Sequence, residues 1–138
     1  MGPSVSFLGH ASTLIEIDGV RVLTDPLLRS RITFLRRVVP AAPEEMSQNI
    51  DVVLISHLHH DHCDLESLAM LPDAIIIAPQ GAGGYLRTRG KLSNVIELNE
   101  GEQMSFLKWR PFRCPSPAAS MLHCSQCGVG VRILVLGI

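Results

Sequence analysis

A continuous apolar run from Val52 to Ile55 constrains the fold of this 138-residue chain more than any other feature. Such a run is typical of a strand buried on both faces, which occurs mainly in parallel sheets covered by helices. Helical spacing follows over 65–71, with Asp64 as the predicted N-cap. The sequence therefore predicts an α/β protein, which some schemes would class as α+β.

The rest of the chain alternates between expected strands and helices. Apolar runs over 5–8, 13–17 and 20–23 begin it, and Asp18-Gly19 between the last two predicts a hairpin. Further strands are expected over 74–78, 95–98, 104–107 and 129–138, and a short helix over 84–89. Residues 25–48 lack clear periodicity and predict an irregular loop with one short helix near 43–46. The pattern predicts a mixed sheet covered by helices.

The segment after the buried run carries the chemistry. Within six residues it contains four histidines and an aspartate, namely His57, His59, His60, Asp61 and His62. In an extended stretch, His57 and His59 point the same way and can bind one cation, whereas Asp61 and His62 come from the following turn and can reach a second. Imidazole with one carboxylate suits Zn²⁺, with Mn²⁺ or Fe²⁺ as alternatives. His60 is out of phase and is predicted not to be a ligand.

These residues carry a family resemblance. The pattern His57-x-His59-x-Asp61-His62 resembles the HxHxDH motif of the metallo-β-lactamase superfamily. The segments GHA at 9–11 and TDP at 24–26 resemble those of a branch that includes ascorbate-phosphate lactonases and N-acyl-phosphatidylethanolamine phospholipases D. The resemblance runs from about Val5 to about Leu107. It implies the N-terminal half of an αββα sandwich, a site for one or two metal ions, and hydrolysis by a metal-bound hydroxide.

The resemblance also implies roles for single residues. His57 and His59 would bind the first metal, and Asp61 and His62 the second. Asp61 would also be the catalytic residue that orients the nucleophile. His10 and Asp25 match family positions near the site and would support the ligands from behind. A purely local structural role is the alternative for both residues. His10 could simply cap the end of a strand, and Asp25 could simply shape a turn.

The second half of the family's ligand set is largely missing. Superfamily members complete the site with a later His, a bridging Asp and a final His. Here no Asp or Glu follows Glu102, and His123 is the only histidine after His62. His123 is therefore the candidate third metal ligand, with a satisfied or exposed bystander as the alternative.

Composition divides the chain into residues 1–107 and 108–138. The tail has no acidic residue and carries three of the four cysteines, Cys114, Cys124 and Cys127. We interpret 1–107 as the metallo-β-lactamase-like half and 108–138 as an atypical tail of a truncated or frame-shifted relative. A small zinc site formed by these cysteines with His123 is the alternative for the tail, and a thiol redox role is weaker still.

Charge and hydropathy limit the expected partners. A net charge of −1 gives no attraction to nucleic acid, and no apolar run could anchor the chain stably in a membrane. Since the N-terminus does not resemble a signal peptide, a cytoplasmic location is expected.

Three functions remain open at this level. The first is a metal-dependent hydrolase that acts on a small-molecule phosphodiester, lactone or similar ester. The second is an inactive half-fold that binds metal weakly and serves as an interaction module. The third is a half-site enzyme completed in a homo-oligomer.

Overall fold

A computed structural model of the protein describes residues 2–32, 35–36, 38, 40, 43–109 and 128–134. His123 and the cysteines Cys114, Cys124 and Cys127 lie outside the described residues, so their roles stay predictions. The elements are β1 (Ser4–Gly9), β2 (Ser12–Ile17), β3 (Val20–Thr24), β4 (Arg31–Ile32), β5 (Leu35–Arg36), α1 (Glu44–Ser47), β6 (Val52–Leu54), α2 (Leu65–Ala69), β7 (Ile75–Pro79), α3 (Gly83–Thr88), β8 (Val95–Leu98), β9 (Gln103–Trp109) and β10 (Gly128–Leu134).

Six strands form one mixed sheet in the order β1-β2-β3-β6-β7-β8. The strands from β1 to β3 are antiparallel, whereas β3, β6, β7 and β8 run parallel to one another. The predicted α/β class and the antiparallel start are thus confirmed. The strands β9 and β10 form a separate antiparallel pair.

The predicted hairpin between β2 and β3 is confirmed. Ile17 pairs with Val20, so the turn consists of two residues. Both of them have positive φ, 50° at Asp18 and 80° at Gly19. Asp-Gly tolerates this left-handed conformation, which matches the twist of the flanking strands.

The segment between β3 and β6 is more regular than its sequence predicts. The expected short helix forms as α1, but the pair β4 and β5 was not expected. Each of these strands has only two residues, with Ile32 opposite Leu35. Two residues are too few to produce a periodic pattern, so the sequence alone could not reveal them.

The central strand β6 is buried on both faces, as its apolar run predicts. Val53 belongs to the core beneath α2 and α3, which includes Leu68 and Leu86. Val52 belongs to a smaller cluster on the opposite face, against which Met104 and Ile133 pack. Both valines are 0% exposed. The helices and the β9–β10 pair therefore cover opposite faces of the sheet.

The edge strand β1 is covered less well. Val5 is 71% and Phe7 is 70% exposed, although both are large apolar residues. Among the described residues, no helix is long and apolar enough to cross a membrane.

Candidate metal centre

Parallel pairing brings two chain segments to one edge of the sheet. The strands β3 and β6 are parallel neighbours, so the residues that follow them leave the sheet at the same edge. The backbone N–H of Asp25 donates to the carbonyl of Leu54 at 2.9 Å, which continues the ladder past the end of β3. Asp25 therefore lies beside the segment that starts at Ser56 and leads into the histidine loop. This edge is where open α/β sheets commonly hold their ligands.

The first two histidines of the loop contact each other. The distance between His57 Nε2 and His59 Nδ1 is 3.1 Å. Two nitrogens that each lie ~2.0–2.1 Å from one zinc ion can be up to about 4 Å apart, so this distance fits a shared ion. The other ring nitrogen of His57, Nδ1, lies 2.9 Å from Ser56 Oγ, which holds the ring from behind.

A second group brings together Asp61, His62 and His10. One donor atom from each lies within 4.8 Å of the donor atoms of the other two. Asp61 Oδ2 is 3.0 Å from His10 Nε2 and 3.6 Å from His62 Nε2. The group combines two imidazoles and a carboxylate, a donor set that suits a borderline divalent cation.

Asp25 supports both groups from the interior. Its Oδ1 accepts the backbone N–H of Ser56 at 2.7 Å, and its Oδ2 accepts the Ser56 hydroxyl at 2.6 Å. The same Oδ2 lies 2.8 Å from His62 Nδ1. Because Nδ1 of His62 faces Asp25, its Nε2 is directed toward Asp61. A carboxylate behind a histidine is the arrangement that fixes the tautomer and orientation of metal-binding imidazoles.

The backbone is strained where it supplies two of these side chains. His10 has a φ of 55° and Asp25 a φ of 35°, both in the left-handed region. The turn at Asp25 is held by Ser12, whose hydroxyl donates to the Asp25 carbonyl at 2.8 Å and accepts the N–H of Leu27 at 2.9 Å. Non-glycine residues in this region cost about 1–3 kcal/mol each and are concentrated at functional sites.

Arg29 contacts the end of the histidine loop, where α2 begins. Asp64 caps α2 by accepting the N–H of Ser67 at 3.0 Å. Arg29 donates to both carboxylate oxygens of Asp64, at 2.8 and 2.5 Å, and also pairs with Glu66. Desolvation acts to raise the pKa of Asp64, but the bonds from Arg29 and Ser67 outweigh it and lower that pKa. The loop after β3 is thus tied to the loop after β6.

Two further groups in the loop have shifted pKa values. At Asp61 desolvation acts to raise the pKa, but a backbone hydrogen bond, the bond to His10 and the nearby His62 together lower it. Burial raises the pKa of the Cys63 thiol to about 11, with the charges of Asp25 and Asp64 contributing. The structure therefore favours a charged carboxylate and a protonated, inert thiol.

Among the described residues, the structure brings together those that the motif and the resemblance single out. His60 is exposed and lies outside both groups, and its role as a non-ligand stays a prediction. Sequence reasoning missed Ser56 and Arg29. Ser56 directly precedes the motif, so its position was a usable signal. Arg29 lies 35 residues before its partner Asp64, and nothing in the sequence connects the two.

The sequence resembles known proteins over most of its length. A model of the beta-lactamase superfamily domain matches residues 4–111. The chain is 29% identical over 121 residues to N-acyl-phosphatidylethanolamine-hydrolyzing phospholipase D 1 of Caenorhabditis elegans, covering 78% of this chain and 34% of the relative.

Solved structures resemble the fold. The crystal structure of a protein described as a metal-dependent hydrolase from Veillonella parvula superposes with a TM-score of 0.61 at 19% identity, covering 79% of this chain and 49% of that one. A diiron β-hydroxylase from Streptomyces venezuelae superposes with a TM-score of 0.56 at 24% identity, covering 80% and 24%. The chain thus spans less than half the length of each of these proteins.

Proposed function

The chain belongs to the beta-lactamase superfamily, and we propose that it is a metal-dependent hydrolase that acts on a small-molecule phosphodiester, lactone or similar ester. The observation that carries the proposal is the convergence of two donor groups in one loop at the edge of the sheet. The first is the His57 and His59 pair, with 3.1 Å between ring nitrogens. The second is the group of Asp61, His62 and His10. The C. elegans relative is named as a phospholipase D that hydrolyses N-acyl-phosphatidylethanolamine.

The donor chemistry fits a divalent metal ion. In His57 and His62, the Nδ1 atom faces away from the donor groups and has a hydrogen-bonding partner. The partner is Ser56 for His57 and Asp25 for His62. Each ring therefore presents Nε2 toward its neighbouring donor. We propose Zn²⁺ as the ion, with Mn²⁺ or Fe²⁺ as alternatives. Iron is among them because the β-hydroxylase, which has a similar fold, is described as a diiron protein. His123 is the proposed additional ligand from the tail.

The residues of the site then have defined roles in the proposed reaction. A divalent ion in this site would polarise the ester and lower the pKa of a water molecule. Asp61, held in its charged form, would orient the attacking water. Asp25 and Ser56 would fix the histidine rings, so that little reorganisation is needed when substrate binds.

A second function, that of a metal-binding interaction module, is favoured by the exposure of two large apolar side chains on β1. Exposed Val5 and Phe7 on the edge strand would support self-association, and a homo-oligomer could also complete the site. We expect no nucleic-acid partner and propose a cytoplasmic location.

Hydrolysis of an activated aryl phosphodiester with excess Zn²⁺ or Mn²⁺ separates the two functions. The hydrolase should show turnover that depends on metal and is lost in Asp61→Ala. Metal binding without any metal-dependent turnover, in monomer and oligomer fractions alike, would favour the module instead.

A further inference from the structure

We infer that His10 is a direct ligand, through Nε2, of the ion held by Asp61 and His62, and does not merely support Asp61 from behind. The inference rests on the proposed metal-dependent function. It assigns the third donor of the second group to a turn at the very start of the sheet, far from the motif in sequence.

The atoms of the group favour coordination. His10 Nε2 and His62 Nε2 lie 3.0 and 3.6 Å from the same oxygen, Asp61 Oδ2. The His10 and His62 rings are 5.3 Å apart between centroids and inclined at 60°, in a T-shaped arrangement instead of a stack. The two distances to Asp61 Oδ2 show that each ring directs its Nε2 toward the same oxygen.

The backbone of His10 points to a task for its side chain. His10 has a φ of 55° and follows Gly9 with a φ of 101°, and the register of β1 with β2 shifts between Phe7 and Gly9. Glycine would adopt this conformation without strain. Packing does not account for the imidazole either, because 42% of the side chain is exposed. A strained, half-exposed histidine is explained if its nitrogen is needed at the site.

The donor count gives the same answer. Asp61 and His62 alone supply two protein donors, whereas catalytic zinc sites usually have three. His10 supplies a third donor atom, which lies within 4.8 Å of the donor atoms of the other two.

Nitrogen NMR of the full chain, labelled with ¹⁵N-histidine and loaded with Zn²⁺ alone, tests the inference. If His10 is a ligand, its Nε2 carries no proton in the zinc form, and its resonance moves on addition of the second equivalent of zinc together with that of His62. If His10 only orients Asp61, Nε2 keeps its proton while the second ion binds, and the inference is overturned.

Zinc titrations of His10→Gly provide the matched measurement. Glycine removes the imidazole and also relieves the left-handed strain, so a folding defect is not expected, and the melting temperature checks this. His10→Asn, which also tolerates the conformation, is the second variant, and His60→Ala is the control. We expect the second ion to bind at least about 10-fold more weakly in both His10 variants, with the first ion unchanged.

The outcomes keep the inference separate from the proposed function. Two ions bound equally well by the parent and His10→Gly would overturn the inference and leave the metal site intact. A parent that binds only one ion, lost in His57→Ala, would also overturn it, because there would be no second ion for His10 to bind. A parent that binds no zinc would instead overturn the proposed function itself.

Discussion

The two halves of the histidine loop are held in different ways. The first half, His57 and His59, is formed by two rings that meet across two residues of one extended segment, although the His57 ring also lies 4.1 Å from the His62 ring between centroids. The second half depends on distant parts of the chain, since Asp61 contacts a histidine 51 residues earlier and His62 an aspartate 37 residues earlier. A site built in this way should lose its second ion before its first when the surrounding structure is disturbed.

The largest expected effect is a loss of affinity for the first ion, caused by substitutions in the first half of the loop. His57→Ala and His59→Ala should each weaken binding of the first ion by at least about 100-fold, because each removes one of two donors to it. Elemental analysis after equilibrium dialysis measures the zinc content, with His60→Ala as the control. Equal losses in all three variants would mean that the two halves are not distinct groups.

The next effect should fall on the second half. Asp25→Asn keeps the size and the left-handed turn, but it replaces a carboxylate that accepts from Ser56 and His62. We expect second-ion binding to weaken about 10–100-fold, and the free energy of unfolding to fall by about 1–3 kcal/mol. Zinc titration and denaturant unfolding measure these values, with the exposed Asp73→Asn as the control. A larger loss of affinity for the first ion than for the second would contradict the proposed difference between the two halves.

A stability effect without a large binding effect is expected at Arg29. Arg29→Met keeps the aliphatic stem but removes both bonds to buried Asp64. The free energy of unfolding should fall by about 1.5–3 kcal/mol, as is typical of hydrogen bonds to charged groups. Arg87→Met is the matched control, because it removes a 3.5 Å ion pair with Glu97 and a single bond to the Val95 carbonyl at 2.9 Å, so a smaller loss of about 1 kcal/mol is expected. Equal losses of unfolding free energy in the two variants would show that the contact of Arg29 with Asp64 adds nothing to stability beyond a surface ion pair.

The smallest effect should come from Ser56→Ala, and it should be shared by both halves. The Ser56 hydroxyl donates to Asp25 Oδ2 and lies 2.9 Å from His57 Nδ1, so it contacts the support of one half and a ligand of the other. We expect a loss of about 0.5–1.5 kcal/mol in unfolding free energy, and a similar modest weakening for both ions. Ser93→Ala at an exposed turn is the control. Weakening confined to one ion would show that Ser56 serves only that half.

The sequence by itself determined the parts of this protein that depend on short-range pattern. The apolar run of β6 predicted its burial on both faces, Asp18-Gly19 predicted the hairpin, and Asp64 predicted the cap of α2. The pairing of His57 with His59 followed from the alternation of side chains along an extended backbone. These features are governed by neighbours in the chain, so composition and spacing were sufficient.

The resemblance predicted that His10 and Asp25 lie near the loop, but only the tertiary structure decided which atoms of distant residues contact it. Parallel pairing of β3 with β6 brings Asp25 to Ser56, and the strained turn after β1 brings His10 to Asp61. The contact of Arg29 with Asp64 depends on the same closure and has no signature in the sequence. Hydrogen bonds and ion pairs are strong only within a few ångströms, and that proximity is created by the packing of the whole sheet and not by any local run of residues.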